Sequence, residues 1–226
     1  MEELLKRLAV CIERGKVDKD ARHPPDMQGQ DGASELTRQA LDAGVSSTEL
    51  LEKSLMVGMR RIGDRFAAGK AFIPDLLIAA KAMNAAMVHL KPYFTSGEAQ
   101  HKGTVILGTV TGDLHDIGKN LVKMVLEGEG WQVVDLGTNA GPDRFLAALQ
   151  ENPHALIGLS ALLTTTMLNM ETIVQQVKKN SPDTPVFVGG APLSADFSGK
   201  IGADGYFPEP QSFARHIDDK YGRVRS

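Results

Sequence analysis

Residues Thr104–Gly118 read TVILGTVTGDLHDIG, a short apolar run that passes directly into a loop rich in glycine and charged side chains. The apolar run, Thr104–Gly108, predicts a buried strand. The helical spacing of apolar residues from about Ile117 to Glu129 predicts the element that follows the loop. A strand, a loop and a helix in this order form the repeating unit of a parallel sheet.

The same alternation continues along the chain. Further strands are predicted at Gln132–Leu136, Ala155–Ser160, Pro185–Gly189 and Gly205–Phe207. Helices are predicted from Pro142 onward, over Leu168–Lys179 and over about Phe213–Tyr221. The five strands with their helices predict an α/β fold, a flavodoxin-like (Rossmann-type) five-stranded parallel sheet of strand order 2-1-3-4-5 with helices on both faces.

The first 95 residues have a different pattern, in which apolar side chains recur at the three- and four-residue steps of helices. Helices are predicted over about Leu4–Gly15, over Ser34–Ala43, from Ser46 or Ser47 onward and from Pro74 onward. The proline- and glycine-rich stretch His23–Gly32 predicts a linker. We therefore predict two domains, a four-helix bundle over residues 1–95 and the α/β domain over residues 96–226.

The composition narrows the classes of function. The chain has 226 residues, 42% hydrophobic content, a net charge of -3 and a single cysteine, Cys11. One thiol excludes an internal disulfide and any zinc or iron–sulfur site built from several cysteines of one chain. The charge balance predicts no nucleic-acid partner. No apolar run approaches the ~20 residues of a membrane span, and the acidic start is unlike a secretory signal, so we expect a cytoplasmic protein without a membrane.

A ligand site is expected at the carboxyl ends of strands one and three. In this strand order the chain leaves these two strands in opposite directions, and a crevice opens between them. The loop after the first strand, Thr109–Gly118, holds a histidine, two carboxylates and two glycines, and the loop Ser160–Thr166 after the third is dense in hydroxyl groups. After the fourth strand, Gly189, Gly190 and Ala191 permit the backbone to approach a bulky ligand.

Several interpretations of the first loop compete. A phosphate-binding loop fails because Gly112 and Gly118 enclose five residues rather than four, and Asn120 stands where a magnesium-binding hydroxyl belongs. A dinucleotide-binding fingerprint needs its glycines closer together. A zinc hydrolase needs further ligands, but the other histidines lie outside the predicted crevice loops. A hydrogen-bonded loop histidine and a single-histidine metal ligand both stay open. Asp113, two residues before His115, and the hydroxyl groups of the facing loop favour the metal ligand.

Three motifs, in order along the chain, carry a resemblance to a known family. Asp113-x-His115-x-x-Gly118 is followed by Ser160-x-Leu162 and then by Gly189-Gly190. This arrangement resembles the signature of the cobalamin-binding domains of methionine synthase and its relatives.

The helical half carries a second part of the resemblance. Val57-Gly58, Gly63–Phe66 and Gly69–Pro74 are similar to the helical cap that precedes such cobalamin domains. With Thr164–Thr166 after the third strand, the chain from about Glu35 resembles the corrinoid protein subunit of anaerobic methyltransferase and O-demethylase systems.

The resemblance implies a role for each matching residue. A cobalamin or related corrinoid would bind base-off and His-on, with His115 replacing the corrinoid's own lower base as the axial ligand of cobalt. Asp113 would accept a hydrogen bond from the other ring nitrogen, and Thr166 would support Asp113. The residues implied to contact the cofactor are Gly112, Leu114, Asp116, Ile117, Gly118, Ser160, Leu162, Thr164, Thr165, Gly189, Gly190, Ala191 and Tyr206. Those implied to cover the upper face of the corrin are Phe66, Ile73 and Leu76. For Tyr206 and these three cap residues, core packing is the alternative.

The resemblance also implies a methyl carrier in one-carbon metabolism rather than a stand-alone enzyme. A substrate-specific methyltransferase would load cobalt(I), a second methyltransferase would pass the methyl group to tetrahydrofolate or a thiol, and a reductive activation protein would restore cobalt(I). Methanol, methylamines, betaines and phenyl methyl ethers are all candidate donors. One alternative is a cobalamin-dependent sensor, disfavoured because the first 33 residues predict no DNA-binding helix-turn-helix. Another is a mutase subunit, which requires a barrel domain that this sequence does not predict.

Overall fold

A computed structural model of the chain describes residues 1–96 and 100–222. The chain divides into two compact units. One consists of Met1–His101 with Gly128–Gly130, and the other of Lys102–Glu127 with Trp131–Ser226. The first unit is built from helices, and the second contains a sheet with helices on both of its faces.

The described part of the first unit is a bundle of four helices. In chain order these are α1 (Glu2–Arg14), α2 (Ala33–Asp42), a third helix made of α3 (Ser47–Leu50), a π-helical turn (Leu51–Leu55) and α4 (Met56–Ala67), and finally α5 (Ile73–Ser96). α1 contacts α2, α4 and α5, and α5 also contacts α2 and α4. The predicted four-helix bundle is therefore confirmed, and the π-helical turn is a feature that the apolar spacing did not indicate.

The helix ends follow from local chemistry. α1 ends at Gly15, whose φ of 72° lies in the left-handed region that glycine adopts readily. The side chain of Ser46 accepts a hydrogen bond from the backbone N–H of Glu49 and so caps the start of α3. Between α1 and α2, Pro25–Met27 forms a single 3-10 turn within the predicted linker. Burial raises the pKa of the Cys11 thiol to about 11, so this thiol is protonated at neutral pH.

Among the described helices, one has the length and apolar composition that crossing a membrane requires, namely α5 over Ile73–Phe94. The same helix contacts three other helices of the bundle and buries Ala79, Ala82, Ala86 and Leu90. Its apolar character is therefore that of a helix at the centre of a bundle.

The second unit contains a five-stranded sheet. Its strands are β1 (Thr104–Thr109), β2 (Gln132–Asp135), β3 (Leu156–Ser160), β4 (Val186–Gly189) and β5 (Gly205–Tyr206). The order is β2-β1-β3-β4-β5, and every neighbouring pair is parallel. The helices are α6 (Ile117–Gly128), α7 (Pro142–Glu151), α8 (Thr164–Met167), α9 (Asn169–Asn180), α10 (Ala195–Lys200) and α11 (Pro210–Tyr221). The predicted fold class and strand order are confirmed.

Buried side chains alternate between the two faces of the sheet, as successive residues of a strand must. Ile106 and Ile157 belong to a cluster with α7 and α9. Val105, Leu156 and Phe187 belong to a second cluster, with α6 and α11. The central strands β1, β3 and β4 are thus covered on both sides, which explains why they read as nearly continuous apolar runs.

Three elements differ from the sequence prediction. The last helix begins at Pro210 rather than near Phe213, because proline suits the first turn of a helix. Thr164–Thr166, predicted to lie in a loop, form most of the short helix α8. The six-residue helix α10 was not predicted, since six residues are too few to show a clear helical period.

The crossing of α1 and α4 gives a test of the bundle. A methyl group added at Gly58 would lie 2.5 Å from the carbonyl oxygen of Ala9 and 2.6 Å from Cβ of Ile12. Gly58→Ala is expected to lower the free energy of unfolding by about 1–3 kcal/mol, since overpacking outweighs the ~1 kcal/mol that alanine gains over glycine within a helix. Urea unfolding followed by circular dichroism measures this change.

The matched control is Gly199→Ala in α10, where the added methyl group would meet no heavy atom within 4 Å. This control should leave the free energy of unfolding unchanged or raise it. A stabilising Gly58→Ala would show that the two helices do not approach closely at this point.

Candidate functional site

The loop after β1 folds into a compact turn at the carboxyl edge of the sheet. The backbone N–H of Asp113 donates to the carbonyl of Val110 at 3.1 Å. The Thr109 hydroxyl donates to the carbonyl of His115 at 3.0 Å. Gly112 has a φ of 79°, which an L side chain rarely adopts. These contacts bring Asp113 and His115 to the start of α6.

The carboxylate of Asp113 is the centre of a hydrogen-bond network. One of its oxygens accepts from the backbone N–H of His115 at 3.0 Å and from Nδ1 of the same residue at 2.8 Å. The other accepts from the Thr166 hydroxyl at 2.6 Å and from the backbone N–H of Leu162 at 2.8 Å. The network therefore joins the loop after β1 to the loop after β3 and to α8.

Two opposing effects act on the pKa of Asp113. Burial of the carboxyl group raises the pKa, but the hydrogen bonds from Thr166, Leu162 and His115 outweigh burial and hold the pKa well below its usual range. Asp113 is therefore ionised at neutral pH. An ionised carboxylate can only accept hydrogen bonds, so Nδ1 of His115 carries the proton of this contact.

His115 presents its second ring nitrogen outward. Its side chain is 50% exposed, whereas that of Asp113 is fully buried. With Nδ1 protonated, Nε2 of the neutral imidazole carries a lone pair, the arrangement in which histidine binds a metal. The described residues contain no group of three or more histidine, cysteine, aspartate or glutamate side chains that could hold a metal ion.

Two asparagines that the sequence analysis missed hold the same loop. The backbone N–H of Gly112 donates to the side-chain oxygen of Asn139 at 2.8 Å, and the backbone N–H of Asn139 donates to the carbonyl of Asp113 at 3.0 Å. From α9, the side-chain amide of Asn169 donates to the carbonyl of Thr111 at 2.7 Å. Asn139 has a φ of 51°, and asparagine tolerates this left-handed conformation better than most residues.

An ion pair fixes the beginning of α6. Lys119, only 2% exposed, donates to the carboxylate of Asp135 at the end of β2 and to the side chain of Asn120, each at 2.7 Å. Burial raises the pKa of Asp135, but the hydrogen bonds from Lys119 and from the backbone of Gly137 outweigh burial and lower it. The residue after Gly118 is thus tied to the neighbouring strand.

The predicted glycines have different surroundings. A methyl group at Gly118 would meet nothing within 4 Å, so this position offers open space. At Gly189 it would lie 3.1 Å from the carbonyl oxygen of Phe207. At Gly190, which has a φ of 138°, it would collide with the carbonyl of Ala161. The backbone itself therefore requires glycine at position 190, and only Gly118 of these three faces free space.

The remaining predicted contact residues fall into three groups. Exposed at the carboxyl edge are Leu114, Asp116, Ile117, Leu162, Thr164, Thr165 and Ala191. Three of them are large apolar side chains, which are often exposed where a ligand binds. Ser160 is half-buried at the end of β3. Tyr206 packs against the cluster on the face of α7 and α9, so its ring contributes to the core on that side.

The three predicted cap residues lie in the helical unit. Phe66, in α4, is half-buried, Ile73 at the start of α5 is 40% exposed, and Leu76 in α5 is 2% exposed. Their contact with a cofactor stays a prediction.

Comparisons with known proteins identify the family of this chain. The B12 binding domain family matches residues 103–213, and a second B12 binding domain family matches residues 29–91. The chain is 41% identical to trimethylamine corrinoid protein 1 of Methanosarcina mazei, over 77% of this chain and 82% of the relative. It is 36% identical to dimethylamine corrinoid protein 1 of Methanosarcina acetivorans, over 91% of both chains.

Among solved structures, the chain resembles the methanol:cobalamin methyltransferase complex MtaBC from Methanosarcina barkeri. The TM-score is 0.81 at 29% identity, over 99% of this chain and 81% of that chain. The fold and the site define a B12-binding protein built from a helical unit and an α/β unit. Within that class, the chain belongs to the family of corrinoid proteins that includes the methylamine corrinoid proteins of Methanosarcina.

Asp113→Asn tests the carboxylate network. The variant places an amide N–H against groups that already donate, and we expect it to lower the free energy of unfolding at pH 7 by about 2–3 kcal/mol. The folded-state pKa of Asp113 lies below the unfolded value of ~3.9, so its contribution is present above that pH and is lost as the pH falls. The difference from wild type should therefore shrink by about 1 kcal/mol between pH 5 and pH 3. Urea unfolding at each pH measures it.

The control is Asp116→Asn, which changes an exposed carboxylate of the same loop and should alter stability little. Equal stability of wild type and Asp113→Asn at pH 7, or a difference that stays constant down to pH 3, would contradict the network.

Proposed function

We propose that this protein is a corrinoid methyl carrier that works between two methyltransferases. The observation that carries the proposal is the buried, ionised Asp113 held against Nδ1 of a half-exposed His115, which leaves Nε2 to act as a metal ligand. Membership of the corrinoid protein family supplies the class of cofactor.

The residues at the carboxyl edge fit a corrinoid. His115 offers a single metal ligand, and a macrocycle that brings its own nitrogen ligands needs only one from the protein. Leu114, Ile117 and Leu162 expose apolar surface around the histidine, as a large and largely apolar ring requires. Gly118 leaves free space at the start of α6. We infer that a corrinoid would bind in the base-off and His-on mode, with Nε2 of His115 holding the cobalt.

When bound, the corrinoid supplies a cobalt centre that accepts a methyl group from one partner and gives it up to another. The protein's part is to control the histidine. Asp113 orients the imidazole and holds the proton on Nδ1, which keeps Nε2 available to the metal.

Thr166 and the backbone of Leu162 help to keep Asp113 ionised. Their hydrogen bonds, at 2.6 Å and 2.8 Å, are made to the oxygen that does not contact Nδ1. The contact of Asp113 with His115 and its contacts with the loop after β3 therefore use different oxygens.

The proposed partners are a substrate-specific methyltransferase, a second methyltransferase with tetrahydrofolate or a thiol as acceptor, and a reductive activation protein, all in the cytoplasm. A methylamine is the first donor to test, because the relatives at 36% and 41% identity are methylamine corrinoid proteins. Methanol and phenyl methyl ethers are the other donors to test. A phenyl methyl ether would give up its methyl group by O-demethylation.

The carrier role predicts dependence on a partner. The protein is loaded with hydroxocobalamin, reduced with titanium(III) citrate and incubated with trimethylamine, methanol or a methoxybenzoate. We expect loss of methyl groups from a donor only after the matching methyltransferase is added, and no transfer with the His115→Ala variant under the same conditions. Demethylation of any donor by the loaded protein alone would contradict a carrier, and no transfer with any donor and partner would contradict the proposal as a whole.

A further inference from the structure

Gln211 is a buried polar side chain with an unexplained amide. It is 5% exposed, and neither Nε2 nor Oε1 has a hydrogen-bond partner. Burying an amide without partners is unfavourable, and natural proteins seldom do so without a reason. The hydrogen-bonding capacity of this amide is therefore not used within the chain.

The position of Gln211 places it near the carboxyl edge of the sheet. It lies in the first turn of α11, and helices that follow parallel strands begin at that edge. α11 and α6 cover the same face, where Phe213 and Ile217 share a cluster with Leu126. Gln211 therefore lies on the face and near the edge where α6 begins with its open position at Gly118.

Strands β3 and β4 have small residues on that side near their carboxyl ends, whereas β1 places Leu107 there. Val105, Leu156 and Phe187 face α6 and α11 in the half of the sheet nearer the amino ends of the strands. Because faces alternate along a strand, Gly158, Ser160 and Gly189 face the same side nearer the carboxyl edge. A methyl group at Gly158 would lie 2.8 Å from the side chain of Leu107 and 3.9 Å from the ring of Phe213, two residues after Gln211, which supports this placement.

Helical periodicity directs Gln211 toward the sheet. Buried residues of α11 are Gln211, Phe213, Ala214 and Ile217, and the steps of three from 211 to 214 and 217 keep one face of the helix inward. The side chain of Gln211 thus lies on the inner face of α11, which packs against the sheet. A narrow ligand group that enters between α6 and α11 from the carboxyl edge would reach it.

We propose that Gln211 recognises the nucleoside end of the corrinoid's nucleotide tail and is a specificity-determining residue of this chain. The inference rests on the proposed function. Its amide offers donors and an acceptor, which matches a sugar hydroxyl or a polar atom of the base. Removing the amide should weaken binding only of corrinoids that carry a tail nucleotide.

The test compares wild type with Gln211→Met, which keeps the length of the side chain and removes its polar atoms. Dissociation constants are measured by spectral titration for hydroxocobalamin, for a cobamide with adenine as lower base, and for cobinamide, which lacks the nucleotide. We expect binding of at least one nucleotide-bearing corrinoid to weaken about tenfold, with cobinamide unchanged. Weaker binding of both hydroxocobalamin and the adenine cobamide would assign the contact to the sugar. Weaker binding of the adenine cobamide alone would assign the contact to the base.

Two controls separate recognition from structure. Ser212→Ala alters the neighbouring residue, whose hydroxyl donates to the carbonyl of Glu209, and should leave all three dissociation constants unchanged. The unliganded Gln211→Met protein should be as stable as wild type or more stable, because an unpartnered amide has been removed from the interior. A marked loss of stability would mean that the protein itself satisfies the amide and would overturn the proposal.

A measurement on the wild-type protein does not depend on any variant. The side-chain amide signal of Gln211 in 15N NMR spectra should shift on binding a nucleotide-bearing corrinoid and stay in place with cobinamide. Equal effects of Gln211→Met on all three corrinoids, or no effect on any, would overturn the role of Gln211 alone. Failure of the wild type to bind any corrinoid would instead overturn the proposed function.

Discussion

The buried charge of Asp113 is the constraint on which the site depends. Removing a carboxylate from water is costly, and here four short hydrogen bonds from two loops and a helix offset that cost. Because one oxygen serves His115 and the other serves Thr166 and Leu162, the loops after β1 and β3 must both be in place before the charge is stabilised. The same bonds leave Nε2 of His115 as the outward group. A single buried carboxylate therefore holds the two loops in place and determines which ring nitrogen of His115 can bind a metal.

Much of the fold follows from patterns that act locally. Short apolar runs separated by helical spacing predict the parallel sheet, and Gly15 and Pro142 mark the end of α1 and the start of α7. Two elements were not predicted, because neither changes the apolar spacing enough to be recognised. They are the π-helical turn at Leu51–Leu55 and the six-residue helix α10. Thr164–Thr166 have the composition of a loop, yet they form a short helix.

A contact between residues close in sequence could be predicted from the residues themselves, whereas the contact of Thr166 with Asp113, 53 positions apart, was predicted only through the family resemblance. Asp113 and His115 stand two residues apart, and the motif indicates their contact directly. Asn139 and Asn169 make hydrogen bonds with backbone atoms of the same loop from other elements. Hydrogen bonds of this kind produce no recognisable pattern of residue spacing in the sequence. The role of Gly190 could not be predicted from the sequence either. Only the structure shows that a methyl group at this position would collide with the carbonyl of Ala161, so that the backbone requires glycine.

The central claim is that a histidine of this protein, and not the corrinoid's own base, is the axial ligand of cobalt. The protein is expressed with 15N-histidine and loaded with unlabelled hydroxocobalamin. Electron paramagnetic resonance of its cobalt(II) form then tests the claim directly. Ligation by His115 predicts that the three-line nitrogen splitting seen with unlabelled protein becomes a two-line splitting, and that His115→Ala abolishes the change. A three-line splitting that persists in the labelled protein would show that the corrinoid's base stays on the metal, and would contradict the account.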